Sequence, residues 1–170
     1  MQYTKIEMSG DEATVRFMLR KEGTKPLVVI GINPSTANKS KSDRTMCRVM
    51  GFADGNGFDS FIMLNLYPQR TPRPAELHQT CDNVLHHRNL DEIKSALIGL
   101  NSPSVLLAFG DNIGCRSYLR DCLKDIVKVI SPLNPKWLHA GPLTKNGNPR
   151  HLLYTSYCAL ETLDINSLIR

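Results

Sequence analysis

The stretch Leu27-Val28-Val29-Ile30-Gly31-Ile32-Asn33-Pro34-Ser35-Thr36 decides how the rest of the chain is read. Four consecutive apolar residues, mostly β-branched, predict a short strand covered on both faces, as in the interior of an α/β sheet. The strand stops at Gly31, where a missing Cβ lets a ligand approach the backbone, and Pro34 stiffens the turn that follows. Asn33 carries an amide that both donates and accepts, suited to holding a water or reading a base edge. Asn-Pro-Ser-Thr reads equally as a plain turn and helix cap. It is not a phosphate-binding P-loop, since Lys39 and Lys41 lie outside the GxxxxGK[ST] spacing, and no GxGxxG occurs.

The same strand-then-loop unit recurs along the chain. Phe61-Ile62-Met63-Leu64 runs into Asn65-Leu66-Tyr67-Pro68, residues 104–109 run into Gly110-Asp111, and a weaker strand at Trp137-Leu138-His139 leads into the Gly- and Pro-interrupted segment 141–149. Between these, Ser42 or Asp43 can cap a helix to about residue 54, broken by Gly55-Asn56-Gly57. Helical spacing of Val84, Leu85, Leu90, Ile93 and Leu97 predicts an amphipathic helix over 82–100, and residues 113–127 predict another. A last helix or turn begins near Arg150-His151. Residues 3–8 and 13–19, around Ser9-Gly10-Asp11, read as a half-buried hairpin. Strands alternating with helices predict a single domain over 1–170: an α/β three-layer sandwich with a mostly parallel central sheet plus an N-terminal β-hairpin. Ligands bind such sheets at the carboxyl ends of the strands. The loops 31–36, 65–70 and 110–114 then share one edge.

Composition narrows the class. With 41% hydrophobic and 22% charged residues in 170, the chain has the make-up of a packed globular protein, not of a disordered or collagen-like one. Its apolar runs fall far short of the roughly 20 residues that cross a bilayer. The N-terminus lacks the apolar core of a secretory signal, so a cytoplasmic protein with no membrane partner is expected. Five scattered cysteines without a CxxC pair read as reduced, mostly buried thiols. His78, His86 and His87 lack metal-ligand spacing and read as surface or core histidines, and no motif asks for a metal or cofactor. Twenty-one Lys and Arg against 16 Asp and Glu leave a net charge of +5, which favours a nucleic acid or nucleotide partner.

Several loop residues have two readings. Asp43 is a helix cap or a carboxylate beside the first loop. Arg70 and Arg73 meet a phosphate or are solvated. Residues 143–151 form a plain hairpin or a poised loop carrying two cations and the titratable His151.

Gly31-Ile32-Asn33-Pro34-Ser35-Thr36-Ala37, Asp43-Arg44-Thr45, Asn65-Leu66 with Arg70, Phe109-Gly110-Asp111 and the run from Gly141 to His151 together resemble, over nearly the whole chain, the bacterial family catalogued as domain of unknown function 1643. The order of elements is also similar to the uracil-DNA glycosylase superfamily. That resemblance implies that Asn33 holds the attacking water, that Asn65 lies beside a base pocket, and that Arg150 with His151 occupies a DNA-facing loop. The chain departs from the superfamily pattern at Ser35, where mismatch-type glycosylases have glycine, and after His151, where Leu152-Leu153 replaces Pro-Ser. The candidate catalytic residues are Asn33 and Asp43. Gly31, Pro34, Ser35, Thr36, Asn65, Gly110 and His151 are candidates for substrate binding, and Arg44, Arg70, Lys145 and Arg150 for phosphate or nucleic-acid contact. The expected function is recognition of a nucleobase in nucleic acid with hydrolysis of its N-glycosidic bond. The alternatives are an enzyme or binder for a free nucleotide or small phosphorylated ligand, and a non-catalytic nucleic-acid-binding domain. Asn33→Ala is expected to abolish turnover and spare the fold.

Overall fold

Residues 27–30 are wholly buried, and the computed structural model, which describes residues 1–170, places them at the centre of a seven-stranded sheet. In chain order the elements are β1 (Ile6–Gly10), β2 (Arg16–Lys21), β3 (Pro26–Gly31), α1 (Arg44–Gly55), β4 (Ser60–Asn65), α2 (Asn83–Ala96), β5 (Ser104–Leu107), α3 (Tyr118–Ile130), β6 (Lys136–Ala140) and β7 (Leu160–Thr162). Spatially the strands run β1-β2-β4-β3-β5-β6-β7.

Successive side chains of a strand point to opposite faces, so a strand buried on both faces divides its residues between two cores. Val28 and Ile30 join Ile62, Leu64, Val105 and Leu107 against α2 and α3. Leu27 and Val29 join Phe61, Met63 and Leu106 against Met46, Val49, Phe52 and Ala53 of α1. Helices therefore cover both faces. In α3, Leu119, Cys122, Leu123, Ile126 and Ile130 recur at three- and four-residue intervals and are all buried, which gives the helix one continuous apolar stripe.

The sheet is mixed, which corrects the expectation of a mostly parallel one. The pairs β3–β4, β3–β5 and β5–β6 are parallel. The pairs β1–β2, β2–β4 and β6–β7 are antiparallel. Parallel neighbours need a long crossover, and α1, α2 and α3 supply them, whereas the ends of the chain return without a helix and pair antiparallel. The N-terminal hairpin is thus part of the main sheet, with Leu19 opposite Met63 of β4. The three-residue β7 was invisible in the sequence because Leu160-Glu161-Thr162 is too short and too polar to carry a strand pattern. The helix expected over 113–127 begins only at Tyr118, since residues 110–115 form a 3-10 turn. No helix is long and apolar enough to cross a membrane. Of the cysteines only Cys122 is fully buried, and Cys47 is exposed.

Asp43 is the N-cap of α1. Its Oδ1 accepts from the Met46 amide at 2.9 Å, and its Oδ2 reaches back to the Ala37 amide at 3.1 Å, tying the loop after β3 to the helix. Asp43→Ala removes both acceptors and is expected to lower stability by about 1–2 kcal/mol, a fall in Tm of roughly 2–8 °C by circular dichroism. Asp43→Asn, with one oxygen for two amides, falls in between. Equal Tm for all three proteins would show that the cap contributes nothing.

Candidate functional site

The loops that follow β3 and β4 are built as one piece. Backbone amides of Leu66, Tyr67 and Thr71 donate to the carbonyls of Gly31, Ile32 and Pro34 at 2.9–3.0 Å. Inside this pairing the Nδ2 of Asn33 donates to Pro34 O (2.9 Å), Thr71 O (2.8 Å) and, more weakly, Gln69 O (3.4 Å). Gly31 sits in close quarters: a Cβ there would lie 2.9 Å from Met63 Cε and 3.1 Å from the side-chain amide of Asn65.

Beside these loops a cleft of about 210 Å³ opens at the carboxyl ends of the parallel strands. Gly31, Asn33 and Ser35 line it from the loop after β3, Thr71 and Pro72 from the loop after β4, Ala108 and Asn112 from beyond β5, and Asp43 and Thr45 from the start of α1. His151 and Tyr154 close the far side, and Arg16 of β2 completes the wall. The edge expected from the sequence is therefore the one that carries the cleft. No three His, Cys, Asp or Glu side chains converge as a metal cage would need.

His151 is held in place from two directions. The Gly110 amide donates to Pro149 O at 2.8 Å, and Gly110 takes φ +61°, a left-handed conformation that glycine accepts freely. The Leu153 amide donates to Nδ1 of His151 at 3.2 Å, so the neutral ring carries its proton on Nε2. Burial pushes the imidazole below its ordinary range, only partly opposed by the carboxylate of Asp43. The side chain is therefore neutral at neutral pH and offers one N–H donor. The Tyr154 ring stands tilted against it, centroids 5.9 Å apart, and is 79% exposed at the rim.

Of the residues expected at the site, Gly31, Asn33, Ser35, Asp43 and His151 line the cleft. Gly110 supports it from behind. Pro34 lies beneath the wall with its carbonyl in the loop pairing. Asn65 is fully buried; in the amide orientation that pairs both its atoms it donates to the carbonyls of Asn33 and Leu64 at 3.3 Å, and does not face the cleft. Thr36 and Arg44 border a shallow depression next to it. Arg70 turns its Nη2 onto Ala37 O at 3.1 Å. Lys145 is exposed on the 141–150 loop, and Arg150 Nε is occupied by Pro142 O at 2.7 Å. The Asn33 amide proves half-buried and triply bonded, so Asn33→Ala would loosen two loops rather than spare the fold.

Sequence reasoning missed Arg16, Thr45, Asn112 and Tyr154. Arg16 sat at a polar position of an alternating strand, which reads as solvent-facing, yet the loop after β3 folds over it. Tyr154 follows Leu152-Leu153, and only the three-dimensional turn at Leu152–Tyr154 brings its ring outward.

Residues 16–153 match the family described as "Protein of unknown function (DUF1643)", and the chain belongs to that family. No curated protein and no solved structure matches it.

Two outcomes test this geometry. Below about pH 6.5 an unfolded imidazole gains a proton that buried His151 resists. The unfolded state then binds more protons, so the His151 contribution destabilises the fold as pH falls through that value and levels off below the folded pKa. Tm measured from about pH 7.5 to 5 should fall more steeply for wild type than for His151→Gln; parallel curves would mean that burial does not hold the ring neutral. The second outcome concerns the 141–150 loop. Thr144 Oγ1 and Asn148 Nδ2 both donate to Asp111 Oδ1 at 2.7 Å, holding that carboxyl below its usual range. Asp111→Ala should speed amide exchange across 142–150 while leaving β3 unchanged, and equal exchange in both proteins would remove Asp111 as the anchor.

Proposed function

We propose that the cleft binds a nucleobase and hydrolyses its N-glycosidic bond. The observation that carries this reading is the convergence of the Asn33 amide, the Nε2–H of His151 and the exposed ring of Tyr154 on one cleft. A planar heterocycle needs an apolar face to lie on and a few polar groups that read its edge. Tyr154 supplies the face and His151 a neutral donor. With Nδ2 of Asn33 spent on the loop carbonyls, its Oδ1, which has no protein donor, is left to accept from a water. The order of strands and loops that resembles the uracil-DNA glycosylase superfamily supports the same assignment.

In the reaction, the water oxygen bonds to the anomeric carbon as the carbon–nitrogen bond breaks. The bonding pair leaves on the base, whose negative charge is stabilised by a hydrogen bond from Nε2–H of neutral His151; solvent takes the proton that the water releases and protonates the departing base. Water is consumed, and a free base and a sugar with a new hydroxyl result. Asp43 acts by position: its two oxygens are held by backbone amides, so its charge stays fixed at the cleft, where it offsets the positive charge that builds on the sugar as the bond breaks.

A second reading, processing of a free nucleotide, is favoured by one specific feature, the buried guanidinium of Arg16. The experiment that tests the base site is incubation of the protein with oligonucleotides carrying uracil, hypoxanthine or alkylated bases, and in parallel with free nucleotides, followed by detection of released base. Tyr154→Ala, a change at an exposed rim position, should keep the wild-type Tm and weaken binding of the base-bearing ligand roughly 5- to 100-fold. No binding of any base-bearing ligand by folded wild type, or unchanged affinity in Tyr154→Ala, would overturn the reading.

A further inference from the structure

Arg16 is 2% exposed, and no carboxylate lies within ion-pairing distance of it. Its Nη1 donates to Ala37 O at 2.8 Å, its Nε is buried without any partner, and its Nη2 has no protein acceptor. Taking a guanidinium out of water without a counter-charge is costly, and an arginine that makes one of its five possible hydrogen bonds is poorly compensated by the protein alone. Burial and the nearby Arg70 depress its pKa to about 10, with Asp43 and Tyr3 opposing, so it remains charged at neutral pH. The groups around it do not cancel that charge. Arg70 donates to the same Ala37 carbonyl, while Asp43 accepts from the Ala37 amide on the other side of the residue. Two cations and one carboxylate leave an excess of one positive charge at the wall of the cleft.

We propose that Arg16 is the anchor for a phosphate monoester, and that the ligand of the cleft is a free nucleoside monophosphate. Ser35 and Thr45 line the same cleft with hydroxyls that make no protein hydrogen bond, and both stand ready to donate to phosphate oxygens. Asp43 lies close enough to both Arg16 and His151 to act on their charges, and Tyr154 adjoins His151. Arg16, Ser35 and Thr45 then take the phosphate, and His151 with Tyr154 takes the base, within one cleft. A terminal phosphate can reach so enclosed a guanidinium. An internal phosphodiester, with chain continuing on both sides, is poorly suited to a guanidinium that is only 2% exposed. Nε is enclosed, so Nη2, which has no protein acceptor, is the group left to donate to a phosphate oxygen.

The assignment of the base end rests on the reading above, and the assignment of the phosphate end does not. Calorimetric titration of the whole protein with nucleoside monophosphates, the matching nucleosides, inorganic phosphate and a short single-stranded oligonucleotide separates the two. Wild type should bind a monophosphate on the order of 10- to 100-fold more tightly than its nucleoside. In Arg16→Met that difference should vanish with nucleoside affinity unchanged, and in Arg16→Lys part of it should return. Equal affinity of wild type for monophosphate and nucleoside overturns the phosphate anchor and leaves the base site standing. Binding of inorganic phosphate that is lost in Arg16→Met, with no binding of nucleosides, supports the anchor and overturns the base site. An oligonucleotide lacking terminal phosphate that binds as tightly as the monophosphate overturns the assignment of a monoester. Should Arg16→Met fail to fold, the wild-type comparison of monophosphate with nucleoside still decides the matter.

Discussion

The amide of Asn33 ties together the two loops that follow β3 and β4. By donating to the carbonyls of Pro34, Gln69 and Thr71 it satisfies backbone acceptors that are turned inward where β3 and β4 end. The three backbone bonds from Leu66, Tyr67 and Thr71 then lock the pair into one wall. Everything on that side of the cleft depends on this wall, including the direction of Ser35 and the turn that carries Ala37 over Arg16. Asn33, whose motif read in the sequence both as a turn and as a holder of water, is structural through its nitrogen and leaves its oxygen without a protein donor.

The opposite side is built by a different device. There the chain returns from β6 through a loop pinned to Asp111, and Gly110 takes a left-handed conformation so that the backbone of Pro149 can close on it. His151 emerges from this junction with its tautomer set by the Leu153 amide. Rigid loops of this kind hold a donor in place before a ligand arrives, which removes the entropy that a mobile side chain would lose on binding. The central strands, buried on both faces, supply the rigid base on which both walls rest.

Much of this was legible in the sequence. The apolar run of β3, the cap at Asp43 and the shared edge of the loops follow from local rules: β-branched continuity, capping chemistry, and the placement of ligands at strand carboxyl ends. Asn33 could be named because it precedes Pro34 just beyond a strand, and His151 because it ends a Gly- and Pro-interrupted loop. Arg16 could not, since alternation along a strand says which face a side chain takes, not whether a distant loop covers that face. Tyr154 escaped for the complementary reason, its exposure being decided by a 3-10 turn too short to have a periodicity. The antiparallel attachment of β2 to β4 is likewise a long-range pairing, and Asn65 looked available only because nothing local told that Asn33 and Leu64 carbonyls would absorb its amide.

The two outer strands give the molecule one more property. Open sheet edges are templates on which further strands can grow, and proteins blunt them by brevity, irregularity and charge. At one border β7 is three residues long with Glu161 in its middle. At the other, the register of β1 slips between Ser9 and Gly10, where Gly10 adopts φ +118°. Neither border presents a long, regular ladder of free amides and carbonyls. Sheet growth from chain to chain is discouraged at both ends, so a partner macromolecule would meet this protein through its loops or helices and not by lengthening its sheet.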